Sequence, residues 1–221
     1  MSAATCRIAT NRDWSSSSRF GCGIQCRRRD AKNGNKLLAI NSRSNAPRSV
    51  TPGNASTIGA QSIALREQRI KLEEYLDRGF GECLLRDSHI ATLTETVMLH
   101  HHSRQFQMLA WVVMPNHVHA LIEVWQTPLS RIVQNWKSIV AVEGNKLLER
   151  TGRFWQPEYW DRFMRDVEQK LKAIRYIENN PVKAKLCRTP EEWPFSSARF
   201  RDPATGELKL PRRWSAEHRS A

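Results

Sequence analysis

The chain predicts an α+β fold in which helices pack on an antiparallel sheet in a ferredoxin-like order. Three observations carry this reading. Two apolar runs with strand patterning, Phe106 to Val113 and His117 to Val124, are joined through Pro115-Asn116. Stretches with helical apolar spacing stand on both sides of that hairpin. A further strand-like segment, Tyr159 to Met164, leads into a last helix.

In chain order, residues 1 to 60 contain the Ser15 to Ser18 run, Arg27-Arg28-Arg29 and scattered Gly, Asn and Pro. No amphipathic period there is longer than Leu37 to Ile40, so the segment reads as a disordered basic extension. Leu65 to Arg78 has helix-forming composition with Gly79 after it. Asp87 to His100 carries Ile90, Leu93 and Val97 at helical spacing, and His100-His101-His102 at its end suit the negative end of the dipole. The clearest helix follows the hairpin. Thr127 is its expected N-cap and Pro128 its first-turn proline, with an apolar stripe of Leu129, Ile132, Val133, Trp136, Ile139, Val140 and Leu147, and Gly152 past its end. The last helix is expected from about Asp166 to near Pro181, because proline disfavours helical geometry at the residue before it. A tail from Cys187 is expected to dock through Trp193. The division is then 1–60 extension, 61–201 catalytic domain and 202–221 tail.

Charge favours a polyanionic partner. The 221 residues hold 35 Lys and Arg against 22 Asp and Glu, a net +13. Residues 1 to 50 contribute 10 bases against 2 acids, residues 51 to 130 contribute 6 against 8, and residues 131 to 221 contribute 19 against 12, so the C-terminal part is basic by itself. Its bases alternate with aromatics from Phe154 to Arg165 and again from Trp193 to Arg201, a pattern that suits stacking on unpaired bases beside phosphate contacts and equally suits an aromatic core with a basic rim. No stretch approaches a membrane span. The cysteines, Cys6, Cys22, Cys26, Cys83 and Cys187, are odd in number and scattered, and no second pair completes Cys22-x-x-x-Cys26 as a zinc site. Reduced thiols and a cytoplasmic location follow.

Met114-Pro115-Asn116-His117-Val118-His119 carries the chemistry. Alternate strand residues share a face, so the two imidazoles stand roughly 6 to 7 Å apart at the backbone, a span one metal ion can bridge. The competing reading is two histidines on the polar face of an edge strand. Tyr176 and Asn180, at i and i+4, leave one face of the last helix together; a core tyrosine and an asparagine cap give the same spacing. Together the segments offer the parts of a phosphoryl-transfer site. A phosphodiester repels nucleophiles, and a cation on a non-bridging oxygen drains that charge, while a phenol with an ordinary pKa of about 10 needs activation.

The chain resembles the HUH tyrosine transposases of the Y1 type, and within them the REP-associated tyrosine transposases. The resemblance runs from about Leu65 to about Arg201, through Gly81 to Asp87, Leu109 to His119, Trp136-Lys137-Ser138, Phe154 to Asp166, Tyr176 to Lys183 and Trp193 to Arg199. It implies the HUH/Y1 transposase fold and a single-stranded DNA transesterase that forms a 5′-phosphotyrosine, with Tyr176 as nucleophile, His117 and His119 as metal ligands and Asn180 in the place of the third. It favours Mg2+ or Mn2+, although imidazole alone suits other transition metals better. The expected partner is single-stranded or hairpin DNA, bound through Lys137, Arg162, Arg165, Lys183 and Arg199 by a monomer or homodimer. The histidine face is expected to be open to solvent.

In one respect the chain departs from that family, whose members begin with a strand in the middle of the sheet. Nothing between Met1 and Ala64 resembles it, and the weak candidate is Ser62 to Leu65. A divergent first strand, an N-terminal extension and a mis-started frame compete as explanations. Two other function classes accompany them: a non-catalytic hairpin or RNA-binding module, and a decayed product. Retention of both histidines, Tyr176 and Asn180 argues against the first.

Overall fold

The computed structural model describes residues 18–25 by their backbone alone, and residues 81–156, 159, 161–211 and 214 with side chains. Four strands form one antiparallel sheet in the order β2-β3-β1-β4: β1 Ser18–Gln25, β2 Phe106–Val113, β3 His117–Val124 and β4 Asp161–Phe163. With its helices this is the ferredoxin-like α+β arrangement, extended by one more helix.

The first strand corrects the sequence reading. Ser18–Gln25 lies inside the stretch expected to be disordered, yet it pairs with β3 on one side and β4 on the other. The sheet therefore has its central strand, the feature whose apparent absence suggested a mis-started chain. Ser62 to Leu65 and the expected helix Leu65 to Arg78 lie outside the described residues. Gly21 and Gly23 broke the pattern, since glycine weakens a strand and marks bulges. Such a bulge is present: from Gly21 to Ile24, β1 advances three residues while β3 advances two, from Ala120 to Val118.

A second bulge, in β2 between Met108 and Ala110, moves the inward phase from even to odd positions. Phe106 and Met108 before it, and Trp111 and Val113 after it, consequently meet the same core. That core lies between one sheet face, with Val118, Ala120 and Ile122 of β3, and helices α1, Ser88–Leu99, and α2, Leu129–Leu147. Asp87 caps α1 by accepting from the His89 amide at 2.8 Å. The buried face of α1 includes Thr94 and Glu95 rather than Leu93 and Val97, which are half-buried. Glu95 is tolerated there because its carboxylate accepts from Trp111 Nε1 at 2.9 Å and from Arg199 Nη2 at 2.6 Å. Of the three histidines after α1, His102 is buried and accepts the Met108 amide on Nδ1, which pins the turn into β2.

Helix α2 begins one residue later than its expected cap. Pro128 stands at the N-cap and makes no side-chain bond there. Ile139 and Leu147, expected in the apolar stripe, are 46% and 57% exposed. Ile139 sits about 80° round the helix from the stripe's centre at 100° per residue.

The last helix, α3, spans Val167–Lys183 and passes through Pro181 instead of stopping there. Only two residues follow the proline, so one missing amide near the end costs a single bond. A Schellman closure then ends the helix, with the Leu186 amide on the Pro181 carbonyl at 2.8 Å and the Lys185 amide on Val182 at 2.9 Å. Lys185 occupies the left-handed position, at φ 58°. Beyond it, Trp193 to Arg201 closes the outer edge of β2: the Val113 amide donates to the Phe195 carbonyl at 2.8 Å, Trp111 N to Ser197 Oγ at 3.1 Å, and Trp193 Nε1 to the Val113 carbonyl at 3.0 Å.

Two outcomes follow. A chain cut after Gln25 should lose its cooperative thermal melt, since β3 and β4 would lose their shared neighbour, whereas a cut ending before Ser18 should keep it. Lys185→Gly should raise stability by about 1 kcal/mol, because glycine adopts the left-handed conformation without a Cβ penalty; denaturant titration measures it.

Candidate active site

Strand alternation sends His117, His119 and Leu121 to the sheet face opposite α1 and α2. Helix α3 lies across this face. Its Ala173 and Ile177, one turn apart, pack with Ala110, Val112 and Met114 of the β2 side and with Leu121. The neighbouring i, i+4 pair on the same helix is Tyr176 and Asn180, so apolar packing of one pair sets the other over the histidines.

The histidines are consequently buried, at 1% and 3% exposure, and not open to solvent as expected. Nor is β3 an edge strand; it lies between β2 and β1. Their Nε2 atoms are 3.1 Å apart and their rings meet edge to face. Asn116 Oδ1 lies 2.7 Å from His117 Nδ1. A proton on that Nδ1 satisfies the amide oxygen and leaves Nε2 with its lone pair. Burial holds the His117 pKa well below the usual imidazole value, and the proximity of His119 adds to the effect. The ring is neutral at neutral pH, the form that binds metals.

Tyr176 is half-buried, its ring centroid 5.7 Å from that of His119. The ammonium of exposed Lys183 is 5.8 Å from the Tyr176 centroid. Asn180 is 1% exposed; its Nδ2 donates to the Tyr176 carbonyl at 3.1 Å, and its Oδ1 is buried without a hydrogen-bond partner. A buried acceptor left so costs about 1–3 kcal/mol. Two imidazole nitrogens and an amide oxygen are donor types that fit a divalent cation. Ligands bound at about 2.0–2.1 Å stand about 2.9 Å apart at a right angle and about 3.4 Å apart in a tetrahedron, which brackets the observed Nε2 separation. No cluster of three His, Cys, Asp or Glu able to hold a metal occurs among the described residues.

Sequence reasoning missed the groups that fix α3. Glu178, two residues after Tyr176, accepts from Ser197 Oγ and from Arg201 Nε at 2.8 Å, and Arg201 Nη2 donates to the Leu109 carbonyl at the β2 bulge at 2.6 Å. It also read Asn116 only as part of a turn. Nothing in a linear sequence marks Glu178 as buried.

The expected DNA-contacting residues scatter. Lys183 stands beside Tyr176; Arg162 and Arg165 are exposed in and just after β4. Lys137, on α2, donates to the Gln156 carbonyl. Arg199 pairs with Glu95 and lies 4.4 Å from the Phe200 ring centroid, within the α1 side of the protein.

The fold thus sets a His-hydrophobic-His strand beneath the helix that carries Tyr176 and Asn180. Residues 83–180 match the family model described as "Transposase IS200 like". The REP-associated tyrosine transposase of Escherichia coli (strain K12) is 32% identical over 133 residues, 55% of this chain and 74% of that protein. The chain belongs to this IS200-like family of transposases. A solved REP-associated tyrosine transposase bound to a REP hairpin shares the fold, with a TM-score of 0.50 at 15% identity over 93% of this chain and 92% of the other. Among the described residues no helix is long and apolar enough to cross a membrane.

Asn180→Leu should leave the metal-free melting temperature unchanged or slightly raised, since it removes an unsatisfied buried oxygen, and should abolish any shift of the melt by Mn2+. A retained Mn2+ shift would remove Asn180 from the ligand set.

Proposed function

We propose that the protein cleaves and rejoins single-stranded DNA, including hairpin-bearing strands, through Tyr176. The observation that carries this reading is the Tyr176 ring held against His119 in a buried His117–His119 pair, with the orphaned Asn180 oxygen one turn along the helix. The E. coli relative is a transposase, and the solved neighbour holds a REP hairpin, which makes hairpin DNA the substrate class to test first.

In the proposed reaction the Tyr176 oxygen attacks phosphorus, a tyrosine–phosphorus bond forms and the bond to the 3′ oxygen breaks. The phenol proton goes to solvent and the departing oxygen takes one, giving a free 3′-hydroxyl. The strand stays attached by its 5′ phosphate, so the bond energy is conserved and a 3′-hydroxyl can reverse the step. His117, His119 and Asn180 would hold Mg2+ or Mn2+, whose chemistry is to neutralise charge on the phosphate oxygens. Burial keeps the His117 imidazole neutral, while Glu178 and Arg201 hold the helix that aims the tyrosine. Lys183, and the exposed Arg162 and Arg165, supply positive charge around that approach.

The test is incubation with labelled hairpin-bearing strands and Mn2+ or Mg2+, followed by denaturing gels. A protein-linked band is expected with the wild type and not with Tyr176→Phe, whose affinity for DNA should stay within about twofold because the ring survives. An adduct formed by the Phe variant would assign the attack elsewhere. Binding by the wild type with no adduct under either metal would favour the non-catalytic module.

A further inference from the structure

Helix α3 rests on the sheet through Ala173 and Ile177, and apolar contact is non-directional, so it does not by itself fix how the helix is rolled about its own axis. Roll decides where Tyr176 points. At about 100° per residue, Tyr176 and Glu178 stand on opposite flanks of the sheet-facing Ile177, each about 100° away from it. Asn180 lies on the tyrosine flank. A roll that slips the Glu178 side chain therefore moves the longer tyrosine arm by at least as much.

The Glu178 flank is held directionally. Its Oε1 accepts from Arg201 Nε at 2.8 Å and from the hydroxyl of fully buried Ser197. The other two guanidinium nitrogens of Arg201 are engaged as well, Nη2 with the Leu109 carbonyl at 2.6 Å and Nη1 with the Gly206 carbonyl at 3.2 Å, so the planar fork is not free to follow a moving helix. Leu109 is the residue that the β2 register skips between Met108 and Ala110, and a bulged residue leaves the ladder, which frees its carbonyl for the arginine. Ser197 is tied to the same strand, its oxygen accepting from the Trp111 amide at 3.1 Å. Both donors to Glu178 are thus anchored on β2, which pairs directly with the histidine strand. A buried ion pair adds little net stability over apolar residues of the same size, so the geometry it imposes is the larger consequence.

We infer that Glu178 is a positioning residue, locked to the β2 bulge through Arg201 and Ser197, that sets the roll of α3 and hence the approach of the Tyr176 oxygen to the histidine pair. The length of its side chain matters more than its charge. The catalytic consequence rests on the proposed reaction of Tyr176; the geometric one does not.

The experiment compares two variants of the full chain that separate length from charge. Glu178→Gln keeps the length and an oxygen for both donors, while Glu178→Asp keeps the charge and draws it back by about 1.5 Å, one carbon–carbon bond. In the metal-free protein a nuclear Overhauser contact between the Tyr176 and His119 rings, whose centroids are 5.7 Å apart, should be present in the wild type and in Glu178→Gln and lost in Glu178→Asp. With labelled hairpin DNA and Mn2+, Glu178→Asp should form the adduct about 100-fold more slowly, the effect of a misplacement on the order of 1 Å. Its DNA affinity should stay within about twofold, and Glu178→Gln should keep most of the wild-type rate. A pair that only stabilises the fold predicts the reverse order, with rates following melting temperatures. That order, a ring contact kept by Glu178→Asp, or none in the wild type overturns the inference. Thermal melts verify folding; should one variant not fold, the other against the wild type decides. Should the wild type form no adduct, the proposed reaction fails, and the ring contact still decides the role of Glu178.

Discussion

The packing of α3 across the histidine face of β3 is the constraint on which the site depends. Ile177 and Ala173 bury against Leu121, Val112 and Ala110, and each such side chain contributes roughly 1.5–3 kcal/mol when fully removed from water, less for alanine. That apolar contact carries polar groups inward with it. His117, His119, Asn116 and Asn180 are all nearly inaccessible, and the orphaned Asn180 oxygen opposes folding. Stability alone would favour a hydrophobic residue at Asn180. A cost borne at a place where a tyrosine and two imidazoles meet is the kind that function explains.

Much of this was legible because it is local. His117 and His119 share a face by strand geometry, Tyr176 and Asn180 by helix geometry, and Asp166 caps α3 by accepting the Gln169 amide as its position suggests. What was hidden depends on contacts distant in sequence. The alternation in His117 to Val124 reads as one buried and one wet face; the second face is covered only because α3 returns over it. The glycines of β1 made a central strand look like a loop, and only its pairing on both sides shows otherwise. Glu95, Glu178, Arg199 and Arg201 look like surface charges in the sequence, and each is drawn inward by a partner at least 23 residues away.

Those pairs explain how one short segment holds both helical layers. Arg199 reaches Glu95 on α1, on one side of the sheet, and Arg201 reaches Glu178 on α3, on the other. Ser197 adds bonds to Trp111 of β2 and to Glu178. Removing either member of a buried pair leaves the other charge without its partner, at a cost of about 3–5 kcal/mol, so the segment joins the layers strongly while the pairs themselves add little net stability.

The consequence concerns how the two ends of the sheet hold their charge. The segment Trp193 to Arg201 lies along β2 and occupies its outer hydrogen-bonding groups, so that end is closed by protein. At the other end β4 is three residues long, all exposed, with Arg162 in it and Arg165 just beyond. The two ends therefore differ in how their charge is held: acid–arginine pairs are closed within the protein at one, while at the other exposed Arg162 and Arg165 alternate with exposed Asp161 and Asp166. Net charge could not distinguish these ends, since both carry arginine; the partners of each arginine do.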